Sequence, residues 1–208
     1  MTETVPPFLV TDLVEKFKNP VNTAMSIQNF RPSAFRQRQK TDRPSWQRSA
    51  VLVGVIEKAG EAHVILTKRT EMLHHHKGQI AFPGGKREKA DRSDEDTALR
   101  EAYEEIGLKR RFFTKLGELD FYYSSTGFEI KPVVGLIGES AQLVKNDDEV
   151  DEIFTVPLAF LMDKKNYVVA SKMVGIEKHS FYAISYENHY IWGATAGMIR
   201  SLAERLTQ

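Results

Sequence analysis

The run Arg100-Glu101-Ala102-Tyr103-Glu104-Glu105-Ile106-Gly107-Leu108 crowds three glutamates into little more than one helical turn. At about 100° per residue, Glu101 and Glu105 leave a helix from nearly the same side, with Glu104 beside them. Like charges four residues apart destabilise an isolated helix by about 0.2–0.5 kcal/mol per pair, so the cluster calls for a counter-ion. Arg100 reaches Glu104 at i+4, whereas Glu101 and Glu105 have no such partner close in sequence. Hard oxygen donors converging on one point suit Mg²⁺ or Mn²⁺, which work beside substrate phosphates. An acidic helix face alone is most often just solvated; the approach to this helix argues for chemistry. Phe82-Pro83-Gly84-Gly85 is a turn whose adjacent glycines let backbone come close to a ligand. Asp91, Asp94, Glu95 and Asp96 then load the helix start with the charge its dipole favours, and Ser93 or Asp91 is placed to cap it. The outline is that of a metal–diphosphate site.

Such a site needs a scaffold, and the hydrophobic pattern supplies one. Leu99, Ala102, Tyr103 and Ile106 fall at helical spacing and form the stripe expected to seat the acidic helix on a core. The β-branched runs Ala50–Glu57 and Ala62–Thr67 flank Ala59-Gly60 and read as a hairpin. Strand patterns follow at Leu116–Tyr123, Phe128–Ile137, Tyr167–Gly175 and Phe181–Tyr186, the last extending toward Trp192. A second long helix is expected from about Thr195 to Leu206, with Met198, Ile199, Leu202, Ala203 and Leu206 as its stripe. Strands and helices in this order predict an α/β sandwich, a mixed sheet between helices. Ahead of it, Thr11–Lys18 reads as a short amphipathic helix closed by Asn19-Pro20, and residues 31–48 as a proline-punctuated basic arm. The expected division is residues 1–48, helix and arm, and residues 49–208, the catalytic domain.

The chain resembles the Nudix hydrolases. Their signature runs Gly, five residues, Glu, seven residues, then Arg-Glu-apolar-x-Glu-Glu-x-Gly-apolar; Gly85, Arg100, Glu101, Ala102, Glu104, Glu105, Gly107 and Leu108 match it. Asp91 stands where the first Glu belongs, eight residues rather than seven before Arg100. A second stretch, Leu66 to Gly85, is similar to the signature preceding that box in coenzyme A diphosphatases, with matches at Arg69, Leu73, His76, Gly78, Gln79, Phe82, Pro83, Gly84 and Gly85; His74 replaces an arginine. The resemblance implies a Nudix-type α/β/α sandwich and hydrolysis of the diphosphate bond of coenzyme A or a derivative. Products would be adenosine 3′,5′-diphosphate and phosphopantetheine. It implies that Glu101 and Glu105 hold Mg²⁺ or Mn²⁺, with Glu104 and the Gly85 carbonyl as supplementary ligands. Arg100, Glu104 and Glu105 are then the catalytic set, Arg100 orienting the glutamates. Lys68, Arg69, Gly84, Gly85 and Lys86 are the candidate substrate contacts, though Arg69 can equally hold a core carboxylate. Two rival readings stand beside this one. The same box serves ADP-ribose, NADH or nucleotide sugars, because loops outside it choose the substrate. A Nudix domain can also become a non-catalytic nucleotide sensor, a reading opposed by the presence of all three glutamates.

Other chemistry-bearing runs weigh less. His74-His75-His76 is consecutive, and consecutive side chains diverge, so a shared metal is not expected. Asn146-Asp147-Asp148-Glu149-Val150-Asp151-Glu152 reads as an exposed acidic loop from which Glu149 or Glu152 can reach the metal or act as the base. Phe121, Tyr122, Tyr123, Phe128 and Trp192 are expected in the core or in strand pairs, one of them free to stack on adenine. Net charge is +1, hydrophobic content 41% and charged content 27%, a balance with no field to steer nucleic acid or membrane. Without cysteine, thiolate metal sites and Cys nucleophiles are excluded. A cytoplasmic location and a small-molecule partner are the expectation, with monomer and homodimer both open.

Overall fold

A computed structural model describes residues 6–18, 45–72, 78–174 and 177–207. The mixed sheet is built on β1 (Gln47–Lys58) and β2 (Glu61–Arg69), antiparallel partners around a two-residue turn in which Ala59 (φ 52°) and Gly60 (φ 84°) both take positive φ. This is the primed turn whose twist matches the flanking strands. On its other side β1 runs parallel to β7 (Phe128–Ile137), and β7 pairs antiparallel with β5 (Phe113–Glu118) and β6 (Tyr122–Tyr123). β2 pairs antiparallel with β3 (Ile80–Ala81) and with β8 (Val150–Pro157). The glycine turn is itself a strand, β4 (Gly84–Lys86), antiparallel to Ser49–Val51 of β1. A second, three-stranded antiparallel sheet holds β9 (Tyr167–Val174), β10 (Glu177–Tyr186) and β11 (His189–Trp192).

Alternation along β1 sorts the core into two layers. Ala50 and Leu52 pack with Ile65, Val133 and Ile137 beneath Ala98, Leu99, Ala102 and Ile106 of α2 (Asp94–Ile106). Val53 and Val55 face the opposite way, into a larger cluster containing Met198, Ile199, Leu202 and Leu206 of α4 (Ala194–Leu206). Leu158 and Leu161 of α3 (Leu158–Met162) and Ile184 and Ile191 of the second sheet complete it. Helices therefore cover both faces of the mixed sheet, the expected α/β/α sandwich. No helix among the described residues is long and apolar enough to cross a membrane.

Two expectations differ from the structure, the domain division and the stripe of α2. The N-terminal helix α1 (Val10–Lys18) packs on the main core. Leu13 is fully buried, Phe8 and Phe17 pack on the main cluster, and the Ala62 N–H donates to the Phe8 carbonyl at 2.8 Å. The division at 48/49 falls inside β1, because Arg48 is a strand residue held at 2.8 Å by Asp94; residues 31–44 of the basic arm lie outside the described residues. Tyr103 leaves the apolar stripe of α2, being 58% exposed, while Glu105 takes a place on the buried face.

Candidate active site

The helix that carries the carboxylates is fixed at both ends. Ser93 caps it, its hydroxyl accepting from the Asp96 N–H at 3.1 Å, and Gly107 ends it in the left-handed conformation (φ 67°). Asp91 does not cap. Its buried carboxylate accepts from the Glu88 N–H (2.9 Å), the Thr97 hydroxyl (3.0 Å) and both Nε and Nη2 of Arg100 (3.2 Å each). Burial pushes this carboxyl up, but Arg100, the Glu88 N–H and Thr97 outweigh burial and hold it below the ordinary range. Asp91 is thus a brace: it ties the connection after β4 to the helix and aims Arg100.

Arg100 spends its remaining donors on the site. Nη2 donates to the Lys86 carbonyl at 2.9 Å, and Nη1 meets Glu104 at 3.1 Å and Glu101 at 3.0 Å. One guanidinium therefore joins β4, Asp91 and two glutamates of the box. Replacing Asp91 by Ala leaves a largely buried guanidinium facing an empty pocket. The expected cost is about 2–3 kcal/mol, read as a lower midpoint in urea unfolding with unchanged slope.

β4 lies under the helix because it is made of glycine. A Cβ on Gly84 (φ 157°) would strike the Ala50 carbonyl and Val51 Cα, and one on Gly85 would collide with the Glu101 carboxylate. The Glu101 carboxylate thus rests directly against the Gly85 main chain, and the Gly84 backbone hydrogen-bonds to Glu105. Gly85 pairs with Ala50 on the α2 side of the sheet.

The three glutamates differ in environment. Glu104 is exposed, with 48% of its side chain open to solvent. Glu101 is largely covered; burial raises its pKa, Arg100 pulls it back, and Glu104 and Glu149 add to the rise. Glu105 is only 2% exposed, and its pKa is pushed up to about 8. Burial is the main cause, opposed by Arg69, with the Glu101 and Glu149 charges adding to it. Arg69 Nη1 stands 3.2 Å from Glu105 Oε1. The sequence offered no partner for Glu105; β2 supplies one from 36 residues away. Arg69 therefore braces a carboxylate, the alternative use of that residue, while Lys68 reaches outward to Asp151 at 3.1 Å. Lys86 is exposed, its ammonium 5.7 Å from the centre of the Phe128 ring.

The acidic run after residue 145 separates into distinct parts. The Asn146 N–H donates to the Glu105 carbonyl (2.9 Å), the Glu149 N–H to the Asn146 carbonyl (3.1 Å), and the Thr70 N–H to the Glu149 carbonyl (3.0 Å). These bonds pin Glu149 between the end of α2 and the end of β2, where its charge reaches Glu101 and Glu105. Glu152 instead lies in β8, bound at 3.0 Å to Nε2 of His189, whose ring stacks on Phe154 at 3.8 Å. From Val150 onward the run is a strand rather than an exposed loop. His74, His75 and His76 lie outside the described residues. Among the aromatics, Trp46 and Tyr123 meet edge-on at 5.0 Å, and Phe121 lies under Arg48 (4.5 Å) and Lys131 (3.7 Å).

Among the described residues no three His, Asp or Glu side chains already stand as a ligand cluster. Arginines occupy the carboxylates instead: Nη1 of Arg100 joins Glu101 and Glu104, and Arg69 meets Glu105. The donor set nevertheless fits a hard divalent cation. Carboxylate and main chain meet at Gly85, and a buried glutamate stands beside two further acids, an arrangement that a cation would relieve.

Comparison with known proteins agrees. Residues 46–174 match the family model described as NUDIX domain. A Yersinia enterocolitica protein named "Uncharacterized Nudix hydrolase NudL" is 37% identical over 158 residues, covering 76% of this chain and 80% of the relative. A Yersinia pestis protein of the same name is 39% identical over 162 residues, covering 77% and 80%. Among solved structures, the Nudix hydrolase RenU from M. smegmatis aligns with TM-score 0.46 and 23% identity over 55% of this chain and 72% of that one. Nudix enzymes generally use divalent metal cations. The family match spans β1, β4 and the helix that carries the glutamates, and the chain belongs to the Nudix hydrolases, enzymes acting on phosphorus-containing anhydrides.

Proposed function

We propose that the protein hydrolyses the diphosphate bond of coenzyme A or its derivatives, using Mg²⁺ or Mn²⁺ held by Glu101 and Glu105 with Glu104 and the Gly85 carbonyl in support. The observation that carries the substrate reading is the run Leu66–Gly85, whose described part forms the end of β2, β3 and the start of β4, with Arg69 at Glu105 and Gly85 at Glu101. When bound, the cation neutralises phosphate oxygens and brings a water toward its hydroxide form. Arg100 sets the directions of Glu101 and Glu104, and Arg69 that of Glu105. The missing side chains at Gly84 and Gly85 let β4 pack against Ala50, Val51 and the Glu101 carboxylate, which brings the Gly85 main chain next to a proposed metal ligand. Lys86, exposed at the end of β4, supplies a cation to a substrate phosphate.

Glu149 is the acid outside the box best placed to take the proton of the attacking water or to join the cation. Its main chain is pinned beside Glu105, whereas Glu152 is engaged by His189. Glu149→Gln should lower kcat at saturating Mg²⁺ by about 10²-fold, with KM changing less and thermal stability unchanged. A kcat within twofold of wild type returns the base to another residue.

Chromatography of the products tests the substrate reading. Cleavage of coenzyme A should give adenosine 3′,5′-diphosphate and no AMP. Dephospho-coenzyme A should be the poorer substrate, because cations that pair a 3′-phosphate are left unmatched without it. A dephospho-coenzyme A turned over as well as coenzyme A would remove the 3′-phosphate from the recognition scheme.

A further inference from the structure

Asn146 joins the end of α2 to the turn that leads into β8. Its N–H donates to the Glu105 carbonyl at 2.9 Å, and its carbonyl accepts from the N–H groups of Glu149 (3.1 Å) and Val150 (2.8 Å). Its side-chain oxygen accepts from the Asp148 N–H at 3.1 Å. The bonds to residues 148, 149 and 150 close a single turn, and the side-chain bond is the one that an N-cap residue makes to the second residue of a helical turn. Asparagine is among the residue types that cap best. Asp147, Asp148 and Glu149 fill the first three positions of the turn, and their surroundings differ. Lys145 holds the Asp147 carboxylate, and Asp148 is exposed. Glu149 is half-buried, and its carbonyl accepts from the Thr70 N–H at the end of β2.

A glutamate three residues after a cap can fold back onto the cap's own N–H, the reciprocal half of a capping box. Here that N–H is taken by the Glu105 carbonyl. The Glu149 carboxylate has no hydrogen bond or ion pair among the described residues, and its field falls on Glu101 and Glu105. We propose that Asn146 is a positioning residue of the reaction: its side chain caps the turn that carries Glu149, and its main chain ties that turn to the carboxylate-bearing end of α2, so that the Glu149 carboxylate is held toward Glu101 and Glu105. Glu149 is here the acid of the proposed function, the one that takes the proton of the attacking water or joins the cation, and the role of Asn146 rests on that reading. Without the side-chain oxygen the Asp148 N–H loses its partner, and the turn loses the bond that fixes where Glu149 begins. A displacement of that size costs rate, because a reacting group must stand within a fraction of an ångström of its productive place.

Steady-state kinetics test this on whichever of coenzyme A, ADP-ribose, NADH and UDP-glucose the protein cleaves fastest, at saturating Mg²⁺. Asn146→Ala should lower kcat about tenfold, with KM changing less than about twofold. Asn146→Ser, whose hydroxyl caps as well, should keep kcat within about twofold of wild type. In the Glu149→Gln background Asn146→Ala should cost nothing further, since a residue that acts through Glu149 then has nothing left to position. A general loosening of the fold would slow both backgrounds alike. A wild-type kcat in Asn146→Ala beside an impaired Glu149→Gln overturns the role of Asn146 and leaves Glu149 in place. An equal loss in both backgrounds, or no rescue in Asn146→Ser, overturns it as well. A wild-type kcat in Glu149→Gln removes the acid itself, and the role of Asn146 falls with it.

Discussion

Glu105→Gln should reduce hydrolysis at saturating Mg²⁺ or Mn²⁺ by at least three orders of magnitude while the protein stays folded. The size follows from the loss of a charge that faces the cation and, through it, the developing charge of the transition state. About 4 kcal/mol of lost stabilisation is a rate factor near 10³. The fold is spared because Glu105 is buried beside Arg69, with its pKa already at about 8. Without metal at neutral pH the residue is mostly protonated, and Gln is nearly isosteric with that form. Steady-state kinetics with thermal unfolding decide the matter. Turnover within tenfold of wild type would remove Glu105 from the metal set, and a collapse of the melting temperature would show that the charge serves the fold instead.

The same carboxyl makes the metal-free protein sensitive to pH. A group whose pKa is about 8 folded and about 4.3 unfolded favours the native state only while protonated in both. Its contribution is complete below the unfolded value and is lost as pH rises from there to about 8. The metal-free wild type should therefore lose a few kcal/mol relative to Glu105→Gln between pH 5 and pH 8, at roughly 1.4 kcal/mol per unit. Adding Mn²⁺ should restore the loss in the wild type and do little for the variant. At pH 7 binding should release close to one proton per Glu105, measurable by calorimetry in buffers of different ionisation enthalpy. Parallel pH–stability curves for the two proteins would show that burial is not raising this group.

Where the chemistry was periodic, the sequence announced it. The box helix, the hairpin at Ala59-Gly60 and the C-terminal helix follow from apolar spacing and turn residues, and each lies within a few residues of its expected bounds. What stayed hidden depended on contacts far apart in the chain. Tyr103 and Glu105 exchange the faces expected of an aromatic and an acid because Arg69, from β2, makes burial of the glutamate tolerable. In the sequence Asp91 stands where the first Glu of the box belongs, or reads as a cap. Its role as anchor of Arg100 appears only when Thr97 and the Glu88 N–H are placed around it. β4 was read as a turn since two glycines carry no strand pattern, and its pairing with Ser49–Val51 is a main-chain matter. The start of β8 was masked by its own carboxylates: Asp151 and Glu152 give no apolar alternation, yet they are matched by Lys68 and His189. The packing of α1 was half legible, because its amphipathic face showed that it must cover something but not that the cover was the main core.

The measurement that bears most directly on the whole account is kcat/KM for coenzyme A, ADP-ribose, NADH and UDP-glucose, compared side by side on the purified protein with Mg²⁺ or Mn²⁺ and again with EDTA. Coenzyme A should be cleaved with the highest kcat/KM of the four, and EDTA should abolish the reaction. Preferential cleavage of ADP-ribose, NADH or the nucleotide sugar would contradict the coenzyme A assignment, and hydrolysis that persists in EDTA would contradict the metal-based chemistry of the site.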